Sequence, residues 1–129
     1  MHIAETELHK IIENLTKKLT KKTDLSLKDI TKKLNKKYFN NKLIINSIEY
    51  SAKQKKRFGS CQTLTARILI SERLKKVPKW VLEYVIFHEM AHLIEPNHGQ
   101  NFKKITAKFP LEERAKGFLL AMSYELYDE

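Results

Sequence analysis

Residues 78–94, PKWVLEYVIFHEMAHLI, form the long apolar stretch around which the rest of the chain must fold. Apolar residues occupy nearly every position, so a helix over this stretch has almost no polar face, and such a helix is buried. Pro78 suits the first turn of the helix, and Pro96 disfavours helical geometry at Glu95. The pattern therefore predicts a buried central helix over about 78–94.

Two histidines and a glutamate lie inside this apolar helix, in the pattern His88-Glu89-x-x-His92. His88 and His92 are one helical turn apart, so both imidazoles project from one face and can bind one metal ion. Glu89 borders that face, where it can accept a proton from a water activated by the metal. This spacing is typical of zinc hydrolases. The alternative is a pair of core histidines with ordinary hydrogen-bond partners.

His98 is the third histidine of this segment and follows the helix after the turn-forming residues 95–97. Such a turn allows His98 to return toward His88 and His92. Three histidines plus one water make a four-coordinate site with an open catalytic position. We therefore expect one Zn²⁺ per chain, held by His88, His92 and His98, although three imidazoles also suit other divalent ions.

Three further side chains are rival ligands. Glu112 and Glu113 compete with His98, because some zinc peptidases take their third ligand from a glutamate on a later helix. Cys61 is the only cysteine of the chain. As a fourth protein ligand it would close the site and make it structural rather than catalytic.

A wider pattern surrounds the histidines and resembles the YgjP-like family, also called DUF45, of predicted zinc metallopeptidases. Phe58 and Gly99 depart from the family pattern, which has tryptophan and serine there. The resemblance implies a zincin-like peptidase core, with the strand before the catalytic helix, here residues 66–72, bordering the cleft. It leaves open whether residues 59–61 form a cleft wall or only a tight turn. The matching residues are Arg57, Gly59, Ser60, Cys61, Arg73, Leu74, Pro78, Tyr84, Val85, His88, Glu89, His92, Leu93, Asn97, His98 and Phe102.

The remaining periodicities predict an α+β fold. We expect a small antiparallel sheet packed against the buried H-E-x-x-H helix, with additional N- and C-terminal helices. The pattern alone does not decide whether the region around Gly59 is a further strand. Helical spacing of apolar residues predicts helices over 5–21, over 27–38, over 99–109 and over 111–127, and isoleucine-rich alternation predicts strands over 43–50 and 66–70.

Positive charge is concentrated in the first half of the chain. Residues 1–60 hold 15 Lys+Arg against 6 Asp+Glu, whereas residues 61–129 hold 10 against 9. We predict a single domain over 1–129, with a lysine-rich helical part at 1–41 and a catalytic core at 42–129. We interpret the lysines as a solvated helix face, because aromatic residues for stacking on nucleic acid are not interleaved with them. The alternative is weak, non-specific nucleic-acid binding.

The composition also indicates the cellular compartment in which the protein is expected. No run of about 18 apolar residues is present, and residues 1–10 lack the apolar segment of a signal peptide. One cysteine excludes an internal disulfide and a cysteine-based zinc ribbon. We therefore expect a cytoplasmic protein without a membrane partner.

Together these features predict a zinc-dependent hydrolase, in our preferred interpretation a metallopeptidase acting on peptides or proteins with Glu89 as general base. One alternative is a nucleic-acid-directed metal hydrolase. Ribosomal-RNA maturation endoribonucleases share the histidine spacing but resemble H-G-x-x-H, without the glutamate. DNA-targeted proteases like the SprT family share H-E-x-x-H, but their third histidine usually lies further along and their zinc ribbon needs more cysteines. A non-catalytic, metal-stabilised binding module is the other alternative.

Overall fold

The computed structural model describes residues 27–127, with side chains described as far as Ser123. The predicted helix over 5–21 and the other lysine-rich residues before 27 lie outside this range. The described part of the chain contains four α-helices and a three-stranded mixed sheet. In chain order its elements are α1 over 27–39, β1 at Ser47–Ser51, β2 at Gly59–Gln62, β3 at Arg67–Ser71, a 3₁₀ helix at Glu72–Lys75, α2 at Lys79–Ala91, α3 at Gln100–Thr106 and α4 at Glu112–Tyr127.

The sheet has the strand order β1-β3-β2, and the expectation of an antiparallel sheet is wrong for one of its two pairings. β2 and β3 form an antiparallel hairpin in which Ser60 lies opposite Leu69. β1 runs parallel to β3, with Ile48 opposite Ile68. The region around Gly59, which the sequence pattern left open, is the third strand, β2.

The apolar character of β3 explains this arrangement. Ile68 and Ile70 have no exposed surface, whereas most residues of β1 and β2 are half-buried or exposed. The strand with the most apolar surface to bury takes the centre of the sheet and pairs on both sides. Residues 52–58 carry the chain from one side of β3 to the other, so β1 and β2 flank β3 and β1 becomes its parallel neighbour.

Helix α2 lies at the centre of the fold, as its composition requires. It contacts β2, β3, α3 and α4. Val81, Ile86 and Phe87 have no exposed surface and point in three directions spaced roughly 100–140° apart around the helix axis. The helix begins after Pro78 and ends at Ala91, slightly before the predicted end, and the turn that follows still precedes Pro96.

Helix α1 confirms the predicted apolar stripe, because Leu27, Ile30 and Leu34 are buried. At its C-terminal end, the rings of Tyr38 and Phe39 lie 4.8 and 5.4 Å from that of Phe87 on α2. These ring contacts join α1 to the central helix. No helix in the described part of the chain is long and apolar enough to cross a membrane.

Candidate metal centre and its cleft

The three histidines predicted as ligands come together at the C-terminal end of α2. His88 lies in the last turn of α2, and His92 is the residue that caps it, still in helical conformation. Residues 93–97 then turn the chain so that His98 faces both. One ring nitrogen from each histidine lies within 4.8 Å of the other two, and among the side chains described, those of residues 27–123, no other such cluster of histidine, cysteine or acidic groups occurs.

The geometry of these nitrogens fits a divalent metal such as zinc. Two nitrogens bound to one tetrahedral zinc at 2.0–2.1 Å lie about 3.3 Å apart. The Nε2 atoms of His92 and His98 are 3.0 Å apart, and no two of the three ligand nitrogens are more than 4.8 Å apart. Small side-chain movements are enough to bring all three nitrogens to a common ion.

The protonation states also suit metal binding, which requires neutral imidazoles. Burial and, to a smaller extent, the charges of His92, His98 and Lys116 together lower the pKa of His88 to about 4. Burial also lowers the pKa of His92. The Nδ1 of His92 lies 3.2 Å from the carbonyl oxygen of Glu95. An Nδ1–H donated to that oxygen leaves Nε2, the atom facing His98, unprotonated.

The rival ligands lie outside the histidine cluster. Glu112 accepts a hydrogen bond from the Nζ of Lys116 at 3.2 Å, and Glu113 is exposed. Burial and, to a smaller extent, the charge of Glu89 raise the pKa of Cys61 to about 11. In the metal-free protein the thiol is therefore protonated at neutral pH, which does not suit a nucleophile. The geometry favours His98 as the third ligand.

Glu89 is a buried carboxyl group on α2, with 7% of its surface exposed. Burial raises its pKa to about 7, and the charge of Arg57 acts in the opposite direction. The side chain packs closely against β2, because a Cβ atom at Gly59 would lie only 3.1 Å from the Cγ of Glu89. A glycine at this strand position therefore leaves the space that Glu89 occupies.

Phe102 on α3 contacts all three imidazoles. Its ring is stacked on His92, with 4.4 Å between ring centroids, and lies edge-on to His88 and His98 at 4.9 and 4.8 Å. Phe102 is itself buried, so it forms an apolar platform that orients the three rings. Phe102 is one of the residues that carry the family resemblance. Its side chain has no atom that can bind a metal, so ligand chemistry alone does not predict this role.

A cleft of about 730 Å³ opens onto the histidines and Glu89. Residues 57–61 of β2 and the loop before it line one wall, and Lys116, Leu119 and Leu120 of α4 line another. Residues 59–61 are thus a cleft wall, formed by a strand. The expectation that residues 66–72 border the cleft is wrong, because none of them is among its lining residues. β3 is paired on both edges, and β2 is the edge strand on the cleft side of the described sheet.

The family model described as YgjP-like, metallopeptidase domain, matches residues 2–116, a range that contains β2, the three histidines and Glu89. Neither the curated proteins nor the solved structures provide a match. The family model covers most of the chain and extends well beyond the segment that carried the resemblance in the sequence. This chain therefore belongs to the YgjP-like metallopeptidase-domain family.

Proposed function

We propose that this protein is a zinc-dependent metallopeptidase in which His88, His92 and His98 hold the metal and Glu89 is the general base. One observation carries the proposal: three converging imidazoles and a buried carboxyl group line the same open cleft. The metallopeptidase-domain family supports it. When bound, zinc supplies a Lewis acid that polarises the scissile carbonyl and makes water more acidic.

Glu89 has the properties that the proton transfers require. In the metal-free protein its pKa of about 7 lies near neutral pH, where a side chain can both accept and donate a proton efficiently. It accepts a proton from the attacking water and then donates one to the leaving amine. Its buried position next to Gly59 fixes the carboxyl group against β2, so the base does not need to be ordered during the reaction.

The cleft is suited to an extended polypeptide. Among the residues that the structure describes, β2 pairs with β3 on one edge and has no strand on the other, and a free strand edge can bind an extended peptide through main-chain hydrogen bonds. Phe58, Leu119 and Leu120 provide apolar surface along the cleft for substrate side chains. We therefore propose a peptide or protein substrate that adds to the sheet alongside β2.

Replacing Glu89 by glutamine tests the proposal, since the substitution keeps the shape of the side chain and removes the base. The zinc-loaded Glu89→Gln variant should fold, retain the metal and lose about 10²–10⁴-fold of the hydrolysis rate on a broad peptide library. Glu83→Gln is the matched control. Glu83 lies on the same helix, half-buried, with its carboxylate 3.9 Å from the Nζ of Lys79, and it does not line the cleft. This control should retain both zinc and activity.

Two outcomes contradict the proposed mechanism. Loss of zinc together with activity in Glu89→Gln would show that Glu89 supports the metal site rather than the chemistry. Equal inertness of the wild-type protein and the variant across broad libraries would refute the peptidase function and favour a metal-stabilised binding module.

The described lysines of α1 are exposed, which both the solvated-face interpretation and the nucleic-acid alternative require. Lys28, Lys32, Lys33, Lys36 and Lys37 are all exposed. Nucleic-acid binding by the lysine-rich part stays a prediction of weak, non-specific affinity. That affinity should fall steeply as salt is raised, because each neutralised phosphate releases counterions.

A further inference from the structure

The charges that line the cleft are unequal. Arg57, just before β2, and Lys116, on α4, bring cationic groups to two different walls, and Glu89 is the one acidic side chain among the lining residues that the structure describes. Lys116 already forms an ion pair with Glu112 at 3.2 Å. Arg57 is exposed and forms no ion pair within the described residues, although its charge acts on Glu89 from a longer distance.

The backbone at Arg57 is held in place while its side chain stays exposed. The Nη2 of Arg73 donates a hydrogen bond to the carbonyl oxygen of Arg57 at 3.1 Å, and the Arg73 guanidinium lies over the ring of Phe58, 4.7 Å from its centroid. The next carbonyl, that of Phe58, accepts a hydrogen bond from the backbone N–H of Ser71 at 2.9 Å. The guanidinium of Arg57 therefore extends from an anchored position at the start of the edge strand.

The loop leading to Arg57 extends the positive charge along this side of the cleft. Lys53, Lys55 and Lys56 are exposed, and none of them forms an ion pair with a described carboxylate. Positive potential focused at a cleft raises the local concentration of anionic substrates and the rate of their association.

We propose that the cleft selects acidic polypeptide segments, with a substrate carboxylate bound by the guanidinium of Arg57 while the substrate main chain pairs with β2. This inference rests on the proposed peptidase function and adds its substrate class. Arginine suits the role because its planar fork binds a carboxylate through two parallel hydrogen bonds. A peptide fits these walls better than a nucleic acid, since stacked bases need free aromatic faces and the ring of Phe58 is already covered on one face by Arg73.

Binding measurements on the zinc-loaded Glu89→Gln protein test the inference without requiring turnover. Two fluorescein-labelled peptides are compared by anisotropy, one rich in Asp and Glu and the other with Asn and Gln at the same positions. The acidic peptide should bind about tenfold more tightly, as expected for a charge-assisted contact at a partly exposed site. Arg57→Ala should remove most of that preference, and Arg57→Lys should keep part of it.

Arg67→Ala is the matched control, because Arg67 is an exposed arginine of the same sheet whose guanidinium pairs with Glu49 at 2.6 Å, outside the cleft. It should leave the preference unchanged. Equal affinity for the two peptides, or an equal loss in Arg57→Ala and Arg67→Ala, would overturn the inference. Displacement of the acidic peptide by lower concentrations of oligouridylate would assign the cleft to nucleic acid instead.

The two proposals fail in different ways. Cleavage of a peptide library by the wild-type protein without any preference for acidic segments refutes the substrate class and leaves the peptidase function standing. Selective binding of the acidic peptide without cleavage of any peptide refutes the function and leaves the anion-binding role of Arg57 standing.

Discussion

Replacing Gly59 by alanine perturbs the contact between the edge strand and the catalytic helix. An added Cβ would lie 3.1 Å from the Cγ of Glu89, 3.2 Å from the carbonyl oxygen of Leu69 and 3.3 Å from the Cγ1 of Val85. All three distances are shorter than ordinary carbon contacts of about 3.5–4.0 Å. The Leu69 oxygen belongs to β3, which is paired with β2, so it cannot move away without distorting the sheet.

Such overpacking typically costs about 1–3 kcal/mol. For a chain of this size, that cost corresponds to a fall of about 3–12 °C in the midpoint of thermal unfolding. The displaced side chain is that of Glu89, so hydrolysis by the zinc-loaded variant should fall as well.

Circular dichroism melting of the metal-free variant checks the prediction, and Gly117→Ala provides a control of opposite sign. Nothing lies within 4 Å of a Cβ at Gly117, an exposed position inside α4. Alanine there should stabilise the protein by about 0.5–1 kcal/mol, because glycine is unfavourable in a helix interior. A Gly59→Ala protein as stable as wild type would refute the close packing of β2 on α2.

Three further results are expected. In the metal-free protein, the raised pKa of Glu89 contributes stability that is lost as pH rises from about 4.5 through about 7. The lowered pKa of His88 has the opposite effect between about pH 4 and 6.5, so the contribution of Glu89 is measured as the difference between Glu89→Gln and wild type. By urea denaturation, Glu89→Gln should therefore match wild type near pH 4 and exceed it by about 3 kcal/mol near pH 9. Phe102→Leu should weaken zinc affinity in chelator competition more than Phe109→Leu, a similarly buried position whose ring contacts no histidine. His98→Ala should weaken zinc affinity more than Glu112→Ala, and the reverse order would identify the glutamate as third ligand.

The parts of the site that follow from helical geometry could be predicted from the sequence. The period of α2 alone places His88 and His92 on one face. The prolines and the turn after the helix predicted that His98 comes back toward His88 and His92. The structure confirms this position of His98. The apolar composition of α2 also predicts its central, buried position, because no other arrangement hides all of its faces.

Features that depend on contacts between distant segments could not be predicted in the same way. β2 reads GSCQ, which has no apolar alternation, so neither its strand conformation nor its position at the sheet edge is visible locally. The parallel pairing of β1 depends on which strand lies at the centre of the sheet, and that is decided by how much apolar surface each strand has to bury. The roles of Gly59 and Phe102 come from what they touch, Glu89 in one case and three imidazoles in the other.

X-ray absorption at the zinc edge of the reconstituted wild-type protein distinguishes an open catalytic site from a closed structural one. We predict one zinc per chain with nitrogen and oxygen ligands only, because three histidines leave one position open for water. A sulfur neighbour at about 2.3 Å would show that Cys61 closes the site as a fourth protein ligand. That result, or a protein that retains no zinc after reconstitution, would contradict an open catalytic metal centre.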